Sequence, residues 1–328
     1  MKRILIIQTA FLGDVILATP VVSELKRIFP SAEIDMLVKK GNESLLQNNP
    51  NIRYCVTFDK SKGKYRSMIQ LIKQFRSQEY DLVINLHRFA SSGIIAGFSG
   101  AKKKYGFKKN PFSFMYSKTF SHEIGFAAAS GGGNGTHEVE RNLSIIQEFG
   151  AVGLKRPELY PTKGQFDKVR PFQNTPYFCF APASVWFTKQ LPKEKWIELI
   201  QRYSNQGRII LLGGKDDRNL CEEIIQSSNI TNGLNLAGEL NLLESAALMK
   251  SARRNFVNDS GPLHIASAMN APVTAFFCST IPAFGFGPLS EDSAIVQVDN
   301  LACRPCGLHG HKACPKNDFK CGNEITIE

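Results

Sequence analysis

Short apolar runs alternate with helix-like segments along the first half of the chain. The runs "RILIIQ", "EIDMLV", "RYCVTF" and "DLVINL" have the length and composition of buried strands. Between and after them, residues 15–29, 65–77 and 136–150 have helical character, and Thr136 is the predicted cap of the third helix. Strands of this kind separated by helices indicate a parallel sheet with helices on both faces.

The second half of the chain repeats this alternation. Its strand-like runs are "YFCFA", "RIILLGG", "NFVND" and "PVTAFFC", and helices are predicted at 193–203, 216–227, 242–251 and from Gly261. Residues 151–176 are rich in proline and predict a linker, whereas "SGGGNG" at 130–135 predicts a flexible loop. The pattern therefore predicts an α/β protein with two doubly wound lobes, at 1–165 and 166–300, and a cysteine-rich tail at 301–328.

The net charge of +11 is confined to the first lobe. Residues 1–165 hold 24 Lys/Arg and 13 Asp/Glu, whereas residues 166–328 hold 16 of each. A basic lobe indicates either a solubilising surface or an anionic partner, such as a phosphorylated glycolipid, an acidic membrane surface or nucleic acid. The lysines at 102–104 and 108–109, which lie among aromatic residues, favour a binding surface. No recognisable nucleic-acid-binding motif accompanies them.

The apolar runs are too short to span a membrane. The longest, such as residues 4–7 and 273–278, fall far below the roughly 20 residues that a transmembrane helix needs. The first run leads directly into a turn and has no cleavage site of small residues, so it predicts a strand rather than a signal peptide. We therefore expect a cytoplasmic protein.

Three loops at predicted strand ends could carry chemistry, because ligands of doubly wound sheets bind at the carboxyl ends of the strands. In "TAFLGDVI", Gly13 allows close backbone approach, and Asp14 is either a helix cap or a functional carboxylate. In "APASVWFTKQLPKEKW", Thr188 and Lys189 could hold phosphate oxygens, although a solvated loop lysine would give the same pattern.

The third loop, "VNDSGPLHIASAMNAP", places Asp259 at a strand end, before a helix start. Ser260 and Gly261 offer backbone N–H groups that could bind an anion, and His264 follows in the first turn of the helix. A single histidine is more often structural, but its position beside this N–H pair favours a functional one.

Four segments resemble the heptosyltransferase family, the family 9 glycosyltransferases, which transfer ADP-heptose to the inner core of lipopolysaccharide. They are "GDVILATPVVSELKRIFP", "HEVERNLSIIQEFG", "TKQLPKEKW" and "NDSGPLHIASAMNAPVTAFF", and their order and spacing extend the resemblance over nearly the whole chain. Leu191 departs from the tryptophan that the family usually has, and Pro262 stands where other residues are also common. The resemblance implies a GT-B fold with the active site in the cleft between two Rossmann-like lobes, inversion at the anomeric carbon and no catalytic metal.

The resemblance also implies roles for individual residues. Asp14 would be the base, residues 1–165 would bind the acceptor, and residues 166–300 would bind the donor. The implied donor-binding residues are Thr188, Lys189, Gly213, Gly214, Lys215, Asp259, Ser260, Gly261, Leu263 and His264. The implied acceptor-binding residues are Gly13, His87, Arg88, Lys102, Lys103 and Lys104. The absence of any D-x-D motif gives no support to a metal-bridged diphosphate site.

The expected partners are a nucleotide-sugar donor, ADP-heptose by resemblance, and a phosphorylated glycolipid acceptor at the inner face of the cytoplasmic membrane. No cofactor and no nucleic acid are expected. Two other functions fit the same architecture: a nucleotide-sugar epimerase, for which the sequence offers no added carboxylates, and a non-catalytic module that binds an anionic ligand.

The tail leaves one further alternative open. Cys303 and Cys306 form a CxxC pair, and Cys314 and Cys321 follow after seven and six residues. Four converging thiolates could hold a structural zinc, but the second pair is spaced more widely than in ordinary zinc sites. Reduced thiols are the expectation for a cytosolic protein.

Overall fold

The computed structural model describes residues 1–61, 63–124 and 135–327 and divides the chain into two compact units. The first comprises Met1–Ile124 and His137–Tyr160, and the second contains Pro161–Glu328. The boundary at 160/161 lies within the proline-rich stretch 151–176 and five residues before the predicted limit of the first lobe at 165. The glycine-rich loop predicted at 130–135 lies almost wholly outside the described residues.

The first unit is a parallel sheet of six strands in the order β3-β2-β1-β4-β5-β6, which is the Rossmann order. Its strands are β1 Arg3–Gln8, β2 Glu33–Lys39, β3 Tyr54–Phe58, β4 Leu82–Asn85, β5 Lys103–Phe107 and β6 Lys118–Phe120. Its helices are α1 Leu12–Leu17, α2 Thr19–Ile28, α3 Lys64–Ser77, α4 Ala90–Phe98 and α5 Glu138–Ser144. Residues 4–8 of β1 are buried on both faces, as expected of a central strand between helical layers.

Two predicted helices of this unit differ from the structure. The helix predicted at 15–29 is two helices that meet at Ala18, where Pro20 can occupy the first turn of α2. The cap of α5 is His137 rather than Thr136, because His137 Nδ1 accepts the Val139 N–H at 3.2 Å. Glu140 completes the cap by accepting the His137 N–H at 2.7 Å.

The second unit contains a parallel sheet of the same order, β9-β8-β7-β10-β11-β12. Its strands are β7 Tyr177–Ala181, β8 Arg208–Leu211, β9 Gly233–Asn235, β10 Arg254–Asn258, β11 Val273–Phe277 and β12 Ser293–Gln297. Its helices are α6 Lys163–Val169, α7 Lys193–Tyr203, α8 Arg218–Ser227, α9 Leu242–Lys250, α10 Gly261–Ala268 and α11 Lys320–Asn323. Helix α6, which Thr162 caps, lies within the stretch that predicted an irregular linker.

The C-terminal segment packs into the second unit instead of forming a separate tail. Phe319, Cys321, Ile325 and Ile327 are buried in the same apolar cluster as Trp196 of α7. This packing covers one face of the sheet beside α7. No helix among the described residues is both long and apolar enough to cross a membrane.

Candidate active site

The first candidate edge lies at the carboxyl ends of β1 and β4, where the strand order of the first sheet reverses. The loops after these two strands meet where Thr9 Oγ1 and His87 Nδ1 lie 2.8 Å apart. Burial lowers the pKa of His87 to about 4, and the positive charges of Lys60 and Arg88 add to the effect. His87 is therefore neutral at physiological pH and contributes hydrogen bonding rather than charge.

Asp14 lies in the first turn of α1 at this edge, next to Gly13. The cap position of α1 is Phe11, not Asp14 as the simplest interpretation of the sequence predicted. Asp14 is the third residue of the helix, and its carboxylate accepts the N–H of Phe11 at 3.2 Å. Burial and the negative charge of Glu138 raise the pKa of Asp14 to about 7, against the opposing effects of the Phe11 N–H and Arg88. A carboxylate whose pKa lies near neutrality is suited to accept a proton during a reaction.

The Glu138 carboxylate belongs to a buried cluster that the sequence did not reveal. His122 Nε2 lies 3.0 Å from Glu138 Oε2, and Arg141 Nε donates to the same oxygen at 2.8 Å. Burial alone would raise the pKa of Glu138, but its bonds to His122 and the charge of Arg141 lower it overall. Glu138 is thus held ionised near Asp14. The three-residue spacing from Glu138 to Arg141 was the only sequence signal of this pair.

The predicted lysine cluster is divided between the two edges of the first sheet. Lys103 begins β5, so Lys102, Lys103 and Lys104 lie toward its amino end, where Lys102 Nζ pairs with Asp81 at 2.7 Å. Lys108 and Lys109 follow its carboxyl end, roughly 13 Å away along the strand. The structure therefore does not bring Lys102, Lys103 and Lys104 together with Gly13, His87 and Arg88.

The second candidate edge lies at the carboxyl ends of β7 and β10, the corresponding reversal point of the second sheet. Lys189 Nζ lies 2.8 Å from Asp259 Oδ2, and both side chains are largely buried. The same carboxylate oxygen accepts the hydroxyl of Thr280 at 2.6 Å. Asp259 therefore orients Lys189 at the strand ends, which places a cation beside the start of α10.

Helix α10 begins directly after Asp259, with Ser260 at its cap position. The first N–H groups of a helix have no partner within it, and its dipole favours an anion at this end. Leu263 is already engaged, because its N–H donates to the Ser260 carbonyl at 3.1 Å. The N–H groups of Ser260 and Gly261 lie at this helix start, next to the Lys189–Asp259 pair, where a ligand could accept them. His264 is buried in the same helix, and its ring faces Phe286.

Comparison with known proteins shows which family of enzymes this chain, with its two candidate edges, belongs to. The model of "Glycosyltransferase family 9 (heptosyltransferase)" matches residues 68–315. The chain belongs to glycosyltransferase family 9, the heptosyltransferase family. It is a glycosyltransferase, and the predicted membership of this family is confirmed.

Individual relatives of this family 9 enzyme are similar over most of its length. A lipopolysaccharide heptosyltransferase 3 of Escherichia coli is 30% identical, over 82% of this chain and 82% of that protein. A family 9 glycosyltransferase structure from Veillonella parvula superposes with a TM-score of 0.79 at 21% identity, covering 90% of this chain and 85% of the other. The structure of E. coli ADP-heptose lps heptosyltransferase II superposes with a TM-score of 0.77 at 21% identity, covering 99% and 98%. The predicted GT-B class, with two Rossmann-like units, is confirmed.

The Thr188 hydroxyl of this family 9 enzyme contacts its own C-terminal segment. Thr188 is buried, and its Oγ1 accepts the His311 N–H at 2.7 Å and the Ser279 hydroxyl at 3.0 Å. This hydroxyl positions the loop that carries Lys189. The side chain of Thr188, predicted to contact the donor, therefore has a bracing function in the structure.

The loop after β8 lies beside these residues in the second sheet. Gly214 donates its N–H to Asp217 Oδ2 at 2.7 Å. A side chain at Gly213 would have its Cβ only 2.8 Å from the Cβ of Asp217, so this close turn requires glycine. Gly214 and Lys215 are exposed at the carboxyl end of the strand, where a nucleoside could lie against them.

The zinc site considered for the tail is not assembled in the structure. Among the described residues, no group of three or more His, Cys, Asp or Glu side chains is arranged to hold a metal ion. Cys321 is buried in the apolar cluster, whereas the Cys306 thiol faces the Cys303 carbonyl, with Sγ and O 3.0 Å apart. Cys303, Cys306, Cys314 and Cys321 are free thiols.

Proposed function

We propose that this enzyme transfers heptose, or a related sugar, from ADP-heptose to a lipopolysaccharide-core or similar glycolipid, with inversion and without a catalytic metal. The observation that carries the proposal is the Lys189–Asp259 pair beside the start of α10, which offers a cation and backbone N–H groups to a diphosphate. Membership of the family and the name of its ADP-heptose-using relative support the choice of donor. An acceptor of this kind implies that the enzyme acts at the inner face of the cytoplasmic membrane.

On the acceptor side, Asp14 is the proposed base. It removes the proton from an acceptor hydroxyl as the oxygen attacks the anomeric carbon from the face opposite the leaving group. The bond from the anomeric carbon to the diphosphate breaks, so the configuration inverts and ADP leaves. Gly13, His87 and Arg88 lie at the same sheet edge and are the proposed contacts of the acceptor.

On the donor side, Lys189 and the N–H groups of Ser260 and Gly261 stabilise the negative charge that develops on the departing diphosphate. Asp259 holds Lys189 in place, and His264 lies in the same helix. Gly213, Gly214 and Lys215 border the nucleoside in this proposal. This set supplies the positive charge that a divalent metal provides in other glycosyltransferases.

The pKa of Asp14 leads to a testable pH dependence. Because the base must be deprotonated and its pKa is about 7, kcat/KM should fall about tenfold per pH unit below neutrality instead of below pH 4. Glu138→Gln removes a negative charge near Asp14, so the acid limb should move to lower pH. The measurement is kcat/KM against pH for both proteins.

Glu148→Gln is the matched control for Glu138→Gln. It also removes one carboxylate, but Glu148 pairs with Lys118, and the charges with the largest effects on the pKa of Asp14 are those of Glu138 and Arg88. The control should keep the acid limb of the wild type. An acid limb near pH 4 in the wild type, or an unshifted limb in Glu138→Gln, would contradict the proposed coupling.

The donor and the metal can be tested together. ADP-heptose should raise the melting temperature by a few °C more than GDP- or UDP-sugars, since a ligand at 100 times its Kd stabilises by about 2.7 kcal/mol. Turnover should persist in EDTA, and the anomeric coupling constant of the product should report inversion. Loss of turnover that Mg²⁺ or Mn²⁺ restores would overturn metal independence, and an epimerised free donor would overturn glycosyl transfer.

A further inference from the structure

Residues 303–311 of the C-terminal segment lie against the loops that follow β7 and β11 in the second unit. In addition to the bond to its hydroxyl, Thr188 donates its own N–H to the His311 carbonyl at 3.1 Å. Cys306 donates its N–H to the Ser279 carbonyl, in the loop after β11, at 2.9 Å. The 303–311 segment is therefore bonded to both loops through backbone groups.

Arg304 of this segment binds one backbone carbonyl in the loop after β11. Its Nε and Nη2 both donate to the Thr280 carbonyl oxygen, at 3.0 and 2.7 Å. Nη1 also donates to the Val298 carbonyl at 2.8 Å, and Nη2 donates to Gln297 Oε1 at 2.6 Å. Because these bonds use both faces of the planar guanidinium fork, Arg304 holds Thr280 in one position.

Thr280 connects Arg304 to the Lys189–Asp259 pair. The buried Thr280 hydroxyl donates to Asp259 Oδ2 at 2.6 Å, and the same oxygen lies 2.8 Å from Lys189 Nζ. A hydrogen bond from a fixed hydroxyl sets the rotation of the carboxylate. The carboxylate in turn sets the place of the ammonium beside the start of α10, so the position of Lys189 depends on Arg304 through two intervening residues.

Gly310 of the same segment lies against the aliphatic stem of Lys189. A Cβ at Gly310 would lie 3.0 Å from Lys189 Cγ and 2.9 Å from Thr188 Oγ1, so this close approach requires glycine. A lysine stem has four flexible carbons and many rotamers when nothing restricts it. Contact with the 303–311 segment removes part of that freedom on the side where Gly310 lies.

We propose that the 303–311 segment is a positioning element for the Lys189 ammonium. Arg304 and Gly310 are its positioning residues, and Thr280 connects Arg304 to the ion pair. A cation that is already in place stabilises the charge developing on the leaving diphosphate without reorganisation, and a displacement of about 1 Å can lower a rate about 100-fold. The inference deepens the proposed function and rests on it for the role of Lys189.

The connection through Thr280 is tested in the full chain by comparing Thr280→Val with Thr280→Ser. Valine keeps the volume but loses the hydroxyl, so turnover should fall about 10- to 100-fold and the affinity for ADP several-fold. Serine keeps the hydroxyl and should retain most of both. Arg304→Gln should act in the same direction as Thr280→Val, whereas Arg202→Gln, which removes the same charge from α7, should not. Steady-state kinetics and calorimetric titration with ADP measure the two quantities.

The contact with the lysine stem is tested by Gly310→Ala, with Gly307→Ala as the matched control. Both glycines have a positive φ, 75° and 70°, so a methyl group strains the backbone at either position. A Cβ at Gly307 meets no atom within 4 Å. Both variants should melt at a lower temperature than the wild type, but only Gly310→Ala should lose turnover, by about tenfold.

The same changes in a Lys189→Met background separate positioning from general damage. If Thr280 and Gly310 act only through the ammonium, Thr280→Val and Gly310→Ala should not weaken ADP binding further once the ammonium is gone, whereas independent effects would add. The inference is overturned if Thr280→Val behaves like the wild type, if Gly307→Ala loses as much turnover as Gly310→Ala, or if the losses add to that of Lys189→Met. Normal turnover in Lys189→Met alone would instead overturn the proposed role of Lys189.

Discussion

Replacing Asp14 by Asn is expected to lower turnover by about 100-fold or more, while the affinity for the donor stays near that of the wild type. Asparagine keeps the size of the side chain, and its oxygen can still accept the Phe11 N–H that the carboxylate accepts at 3.2 Å. The start of α1 is therefore retained, and only the capacity to take a proton is lost. Steady-state kinetics and calorimetric titration with ADP would measure the two effects.

Asp81→Asn is a suitable control for this variant. Asp81 lies at the amino edge of the same sheet, where its carboxylate accepts the Lys2 N–H at 2.7 Å. Asp81→Asn therefore removes the same negative charge at a position away from the proposed base. Its turnover should remain close to that of the wild type. Near-normal turnover in Asp14→Asn would remove Asp14 from the mechanism, and a parallel loss of donor affinity would indicate misfolding of the loop.

Lys189→Met should lower turnover by about 100- to 1,000-fold, the range observed when one stabilising group is removed from a developing negative charge. Affinity for ADP should fall as well, because the product carries the same diphosphate. The variant should also be less stable, since Asp259 loses its cation while largely buried, and an unpaired buried charge costs about 3–5 kcal/mol. Kinetics, ADP titration and thermal melting separate these effects.

Combining Lys189→Met with Asp259→Asn distinguishes charge stabilisation from folding. The second change removes the unpaired charge, and asparagine can still accept the Thr280 hydroxyl that now bonds Asp259 at 2.6 Å. Stability should recover in the double variant, but turnover should not. Recovery of turnover together with stability would show that Lys189 acts only by neutralising Asp259.

The sequence predicted the loops but not the contacts between them. Apolar periodicity located the strands, and the carboxyl-end rule then pointed to the loops of Asp14, Lys189 and Asp259. The pairing of Lys189 with Asp259 joins residues 70 positions apart, and the bond from Thr9 to His87 spans 78. Such contacts follow from strand order, which local patterns do not encode.

Proximity along the chain also misled the prediction of the lysine cluster. Lys102 and Lys109 are close in sequence, but an extended strand between them carries them to opposite edges of the sheet. Leu191, where the resemblance implied a tryptophan, is a second residue whose environment the local pattern did not reveal. It is buried in the apolar cluster, and its N–H donates to Asn258 Oδ1 at 2.9 Å. Burial of this kind became evident only from the packed fold.

The bond between Thr188 and His311 also has a consequence for the order in which the protein is made. The hydroxyl that braces the Lys189 loop binds a backbone group 123 residues later in the chain. At a synthesis rate of about 5–20 residues per second, a ribosome needs roughly 6–25 s to travel between them. The sheet of the first unit can form during that interval, but the lysine loop acquires its final hydrogen bonds only after residue 311 has emerged.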